Sequence, residues 1–246
     1  MADIDDPFRH HPNLRHLIKP AAQSTIRNFK PGALLEMIKQ HGAKDSDLLT
    51  DAERDADRRA ALRQRPDGAL WVFGYGSLIW DPGIDFAEVR RAHAPHWQRR
   101  FIVKDVWGGR GTKDQPGVMA ALDQGDGCHG LIFRITEAAI ESETQVLWNR
   151  ERVGRAYKPA FIDVTTDAGP LKALTFVVDH EAEIIDSDMT WDEQVHFCAT
   201  GTGSFGTSFE YVENLVRHFH TLKIDAPHAC ALLEAAKAYQ AAHRAS

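Results

Sequence analysis

The sequence predicts an α+β fold in which a compact sheet or barrel is followed by a set of helices. Two observations carry this. Between Leu70 and Val178 the chain runs in short β-branched and aromatic stretches punctuated by Gly, Pro and Asp, whereas from Thr190 onward capping signals open helices. Strands first and helices mostly later, without regular strand-helix-strand alternation, is the order of an α+β domain and not of a doubly wound one.

The strand runs are Leu70 to Tyr75, Trp97 to Val106, Val118 to Leu122 and Gly130 to Ile135. Two more, Ala160 to Thr165 and Leu171 to Val178, flank Asp167-Ala168-Gly169-Pro170 and predict a hairpin. Thr190 with Glu193 and Thr207 with Glu210 form capping boxes, each pair satisfying backbone N–H groups that a helix start leaves free. Asp225-Ala226-Pro227 opens an Ala-rich final helix. Ahead of all this, residues 1–68 differ in texture, with prolines at 7, 12, 20 and 31 and a charged helix between the Thr50/Glu53 capping box and Arg65-Pro66-Asp67-Gly68. They are expected to form a helical N-terminal extension that packs on the domain at 69–246, with dimerisation as its other use.

Composition narrows the functions. Hydrophobic residues at 43% and charged residues at 26% are globular values, so the chain should fold. Lys+Arg 29 against Asp+Glu 35 leaves a net charge of -6, which offers no broad basic surface for nucleic acid. The three cysteines, Cys128, Cys198 and Cys230, are widely spaced and predict neither a disulfide framework nor a metal knuckle. An acidic start without an apolar run, and no stretch near the ~18 apolar residues of a membrane span, predict a soluble cytoplasmic protein.

Two places carry chemistry. Gly74-Tyr75-Gly76-Ser77-Leu78 follows the first strand directly, and its glycines permit a tight turn whose N–H groups can converge on an anion. No Lys within the loop excludes a P-loop and no third glycine stands at dinucleotide spacing; a carboxylate fits the turn as well as a phosphate, and a β-bulge or an ordinary turn is the alternative. Gly201 to Gly206 matches G-x-G-x-x-G in letters but lies between helices, so it carries no nucleotide prediction. The second place is Glu151. On a helix from the N-cap Thr136 through Arg152, Ile140, Leu147 and Glu151 share one face, with Thr144 and Trp148 nearby and Glu141 and Glu143 to the sides. A carboxylate on that face is either desolvated, with a raised pKa, or paired with a cation. A salt bridge to Arg100, Arg134 or Arg155 therefore stands beside a catalytic role.

Taken together, Val72 to Trp80, Arg110-Gly111-Thr112 with Pro116-Gly117, Leu147 to Glu151 with Tyr157 and Pro159, Gly203 to Thr207, and Glu210-Tyr211 resemble the ChaC family of glutathione-specific γ-glutamylcyclotransferases. The resemblance spans residues 69 to about 235 and implies a mixed β-barrel flanked by helices. It also implies a γ-glutamyl-binding loop at Tyr75, Gly76, Ser77 and Leu78, a single catalytic carboxylate at Glu151, a substrate contact at Tyr211 and no cofactor. The chain departs from the family pattern at Ser208, where Asn is usual, and at Gly154, one place before the expected glycine. The expected partner is a small molecule, glutathione, with other γ-glutamyl amines or a non-catalytic binding role as alternatives. His93, His96, His218 and His220 have spacings a metal could use, but no H-E-x-x-H accompanies them, and no metal is predicted.

Overall fold

The computed structural model describes residues 6–29 and 32–243, so the acidic start at residues 1–5 and Pro31 lie outside the described residues. In chain order the elements are α1 (Ala33–Gln40), α2 (Asp51–Leu62), β1 (Leu70–Gly74), β2 (Glu88–Ala94), β3 (Trp97–Trp107), β4 (Thr112–Gln124) and β5 (Cys128–Ile135). There follow α3 (Ile140–Glu151), β6 (Tyr157–Thr166), β7 (Gly169–Val178), α4 (Trp191–Thr200), β8 (Thr202–Gly203), β9 (Gly206–Thr207), α5 (Ser208–Leu222) and α6 (Pro227–His243). Contacts divide the chain into two compact units: Met1–Lys30, Leu49–Arg99 and Leu122–Val178 form the first, and Pro31–Leu48, Arg100–Ala121 and Asp179–Ser246 the second.

The first unit is built on a closed barrel in the strand order β1-β5-β2-β6-β7. The β1–β5 and β6–β7 ladders are antiparallel, with Phe73 opposite Ile132 and Phe161 opposite Leu174, while β1 closes onto β7 in parallel at Val72 and Leu174. The barrel is therefore mixed. Phe73, Ile132, Ile162 and Val164, with Tyr75 and Cys128, form its packed interior. Neighbouring β1 and β5 residues such as Val72, Leu131 and Phe133 are equally buried, so these strands are covered on both faces and read as continuous apolar runs. Strand β2 has no counterpart among the predicted runs. Its Glu88, Arg90 and Arg91 hide the pattern, because Glu88 is buried and held by Arg9, Arg90 and Arg134.

Helix α3 differs from expectation at both ends. Thr136 makes no side-chain cap; Glu137–Ala139 form a 3-10 turn, and the α-helix runs only from Ile140 to Glu151. Its buried residues are Ile140, Glu143, Thr144, Leu147 and Trp148, so the predicted stripe holds, but Glu143 belongs to it and does not project aside. Arg27 explains the exception, reaching the Glu143 carboxylate with Nη1 at 2.5 Å and Nη2 at 3.2 Å.

In the second unit, Thr190 and Thr207 cap α4 and α5 through complete capping boxes, and Pro227 starts α6, as the sequence predicts. The Gly201–Gly206 stretch is a miniature hairpin of β8 and β9, with Gly206 at φ +97°, a conformation that favours glycine. Among the described residues, no helix is long and apolar enough to cross a membrane.

Candidate active site

The site in the first unit begins where β1 ends. A Cβ on Gly74 would lie 3.0 Å from that of Leu78, so glycine is what lets the loop fold back on its own strand. Tyr75 then turns inward: its side chain joins the barrel interior, and its hydroxyl donates to the Phe176 carbonyl of β7 at 2.9 Å. Its carbonyl accepts from Arg99 Nε at 2.7 Å. Tyr75 is thus an anchor, with its ring in the barrel interior and its carbonyl taken by Arg99. Ser77–Ile79 form a 3-10 turn whose first internal bond is Ile79 N–H to Gly76 carbonyl at 3.0 Å. The N–H groups of Ser77 and Leu78 have no partner within that turn, as at any helix start. No acceptor for the N–H of Gly76, Ser77 or Leu78 occurs among the described residues.

Glu151 is the last residue of α3, with a side chain 16% exposed: covered, yet open to solvent on one side. Its cation is none of the three arginines considered from the sequence. Arg150, its immediate neighbour, places Nε 2.7 Å from Glu151 Oε1. The same guanidinium donates from Nη2 to Ser77 Oγ at 2.6 Å and from Nη1 to the Asp81 carbonyl. One nearly buried arginine therefore ties the carboxylate to the glycine loop. Burial pushes the Glu151 carboxyl above the ordinary glutamate range, and Arg150 opposes the rise by charge and by hydrogen bond without cancelling it. A carboxyl with a raised pKa is a candidate for taking a proton and returning it.

The sequence profile of the ChaC-like protein family matches residues 70–239. The chain belongs to the ChaC-like family. A glutathione-specific γ-glutamylcyclotransferase of Escherichia coli is 36% identical over 177 residues, covering 71% of this chain and 76% of the relative. Glutathione-specific γ-glutamylcyclotransferase 1 of zebrafish is 28% identical over 167 residues, covering 65% and 85%. The crystal structure of a yeast γ-glutamyl cyclotransferase specific to glutathione superimposes with a TM-score of 0.64 over 71% of this chain and 98% of that one; at 20% identity it attests the fold.

Within this ChaC-like chain the loop at Tyr75 to Leu78 and Glu151 fall in the matched region and meet through Arg150. Tyr211 lies in the second unit, on α5, where its buried hydroxyl accepts from the Ala120 N–H at 3.2 Å and the Arg110 guanidinium stands 5.8 Å from its ring centroid. Ser208, the departure from the family pattern, is fully buried and ties α5 to β4, accepting from the Val118 N–H at 2.8 Å and donating to its carbonyl at 3.2 Å. Of the histidines noted from the sequence, His93 lies against His129 with ring centroids 4.4 Å apart, and His218 Nδ1 bonds the Asn214 carbonyl at 2.7 Å. Arg150 is the site residue the sequence reading passed over. Adjacent residues on a helix point in different directions, so periodicity gives no hint that 150 and 151 pair. Helix termination supplies the freedom: Arg152 already leaves helical geometry at φ -114°, ψ 20°.

Proposed function

We propose that this chain is a γ-glutamylcyclotransferase of the lyase class that cleaves glutathione to 5-oxoproline and Cys-Gly in a cytoplasmic setting. The observation that carries the reading is the covered Glu151 carboxyl, raised in pKa and linked by Arg150 to the Ser77 loop. Family membership and the names of the E. coli and zebrafish relatives support the choice of substrate.

The substrate brings its own nucleophile. Its α-amine, mostly an ammonium at neutral pH, gives a proton to Glu151 and attacks the γ-carbonyl carbon. A five-membered ring forms as the new C–N bond closes and its nitrogen gives up a second proton, and the old γ-amide C–N bond breaks as Glu151 passes the two protons in turn to the departing nitrogen, which leaves as the ammonium of Cys-Gly. No water is consumed and no electrons change hands, so the reaction as written balances without a cofactor. The unpartnered N–H groups of Gly76, Ser77 and Leu78 hold the γ-glutamyl carboxylate or the developing oxyanion and keep the chain bent. Bending supplies much of the rate, since well-oriented intramolecular reactions reach effective molarities of about 10⁵ M and more. Tyr211 is assigned to substrate contact by its place in the Glu210-Tyr211 motif.

Incubation of the purified chain with glutathione and, separately, with γ-Glu-Ala, followed by chromatography for 5-oxoproline, tests the proposal. Release of 5-oxoproline and Cys-Gly from glutathione is expected. Turnover of γ-Glu-Ala alone would replace the substrate, and tight binding with no product from either would replace catalysis with sensing.

A further inference from the structure

The family match begins at residue 70, yet the C-terminal end of α3 is held by residues that precede it. Asp57, in the middle of α2, uses a single oxygen for two bonds: Oδ2 accepts from Trp148 Nε1 at 2.8 Å and from Arg152 Nε at 2.9 Å. These donors bracket Glu151 in sequence. Trp148 is fully buried and meets Phe176 of the barrel edge-on, with centroids 5.1 Å apart, so it is fixed on the barrel side as well. Arg152 also donates to the Tyr157 carbonyl, where the chain enters β6. Two further contacts follow in register: Leu49 N–H to the Val153 carbonyl at 3.0 Å, and Glu53 to Arg155 at 3.1 Å. The segment from Trp148 to Arg155 is thus gripped at four points by residues 49–57.

The grip falls where a helix is weakest. Carbonyls of a last turn lack intrahelical partners and the end frays, yet a proton-transfer group at that position must be held to within about 0.5 Å of its working geometry. Among the described residues Arg150 alone pairs with the Glu151 carboxylate, so the backbone that carries both must be fixed by something else.

We infer that Asp57 is a positioning residue for the Glu151 carboxylate, and that α2 serves catalysis by clamping the terminal turn of α3 through Trp148 and Arg152. This rests on the reading of Glu151 as the proton-transfer group. Asp57 touches no substrate and removes no proton; it acts through its two donors. A displaced carboxylate loses proton transfer, whereas substrate held at the Gly76 to Leu78 amides is retained, so kcat carries the effect and KM does not.

The test is steady-state 5-oxoproline release from glutathione by the full-length chain and its Asp57→Ala, Asp57→Asn, Trp148→Phe, Arg58→Met and Glu151→Gln variants. Asp57→Ala is expected to lower kcat roughly 10- to 100-fold while KM stays within about threefold, the scale set by misplacement of a catalytic group. Asp57→Asn, whose amide oxygen still accepts, should restore kcat to within about threefold of the parent. Arg58 grips the other end of α3, with Nη1 3.2 Å from Thr144 Oγ1, so Arg58→Met should lower the melting temperature and leave kcat per folded molecule unchanged. An unchanged kcat in Asp57→Ala, or an equal kcat loss in Arg58→Met, would overturn the inference. If Asp57→Ala does not fold, Trp148→Phe decides: it keeps the aromatic ring and loses one donor, and kcat should fall by about threefold or more. Inactive Glu151→Gln beside a wild-type-like Asp57→Ala sinks only the positioning role, whereas an active Glu151→Gln sinks the catalytic assignment.

Discussion

Helix α3 carries two inward carboxylates about two turns apart, and they have opposite characters. Glu143, in the first turn, is 4% exposed and saturated with donors: both Arg27 nitrogens and the Asp85 N–H at 2.8 Å. Burial alone would raise its pKa, but these bonds win and hold it below the ordinary range. Glu151, in the last turn, is more exposed at 16% yet has Arg150 as its ion-pair partner, and there burial wins. Depth does not decide which way a carboxylate's pKa moves. What decides is how many donors remain to stabilise the anion once water has been removed.

The largest effect that can break this contrast is on turnover. Glu151→Gln should reduce 5-oxoproline release on the order of 10³-fold, within the usual range for losing a general acid–base group. Glu143→Gln should leave kcat of the folded protein unchanged. Next, Arg150→Met removes the one influence that restrains the rise at Glu151 and unhitches Ser77. Its kcat/KM should fall roughly 10- to 100-fold, and the acid limb of its pH profile should move upward.

Stability should show the contrast with opposite signs. Glu143→Gln breaks the buried pair and leaves Arg27 facing the exposed Asp85 carboxylate at 3.5 Å, which should cost about 1–3 kcal/mol at neutral pH by denaturant melting. Because the Glu143 pKa is lowered by folding, that contribution is present above the unfolded glutamate value of about 4.3 and is lost as pH falls through the folded value. The Glu151 pKa is raised by folding, so its contribution is fully present below about 4.3 and is lost as pH rises through the folded value. Glu151→Gln should therefore melt with the parent in acid and above it at neutral pH; a constant offset across the range would contradict the raised pKa. The smallest effect extends the rule to buried thiols, where burial outweighs the opposing influence of Arg99 on Cys128. Cys198 is pushed up to about 12 and Cys128 is raised by burial, so a thiol reagent on the native protein should modify only exposed Cys230 of the three.

Local chemistry was legible in the sequence and distant partnership was not. The Thr50, Thr190 and Thr207 capping boxes each need only a residue and its third neighbour, and all three form. The Asp167 to Pro170 hairpin was equally readable because turn and strands are contiguous. Strand β2 escaped because its charged side chains answer to Arg9 and Arg134, far away in sequence. At the site, periodicity placed Glu151 on the covered face but could not place Glu143 there, since the arginine that makes its burial tolerable sits at residue 27. Arg150 and Asp57 were invisible for the same reason: their roles are set by contacts to Ser77 and Trp148, which no spacing rule connects.

The sunken tyrosine of the loop has a thermodynamic consequence. With its ring inside the barrel and its hydroxyl on β7, Tyr75 ties the Gly76 to Leu78 amides to the packed interior of the first unit. The entropy of arranging those amides is lost when the chain folds, so under the proposed function a γ-glutamyl group meets a mould already set and keeps more of its contact energy as affinity.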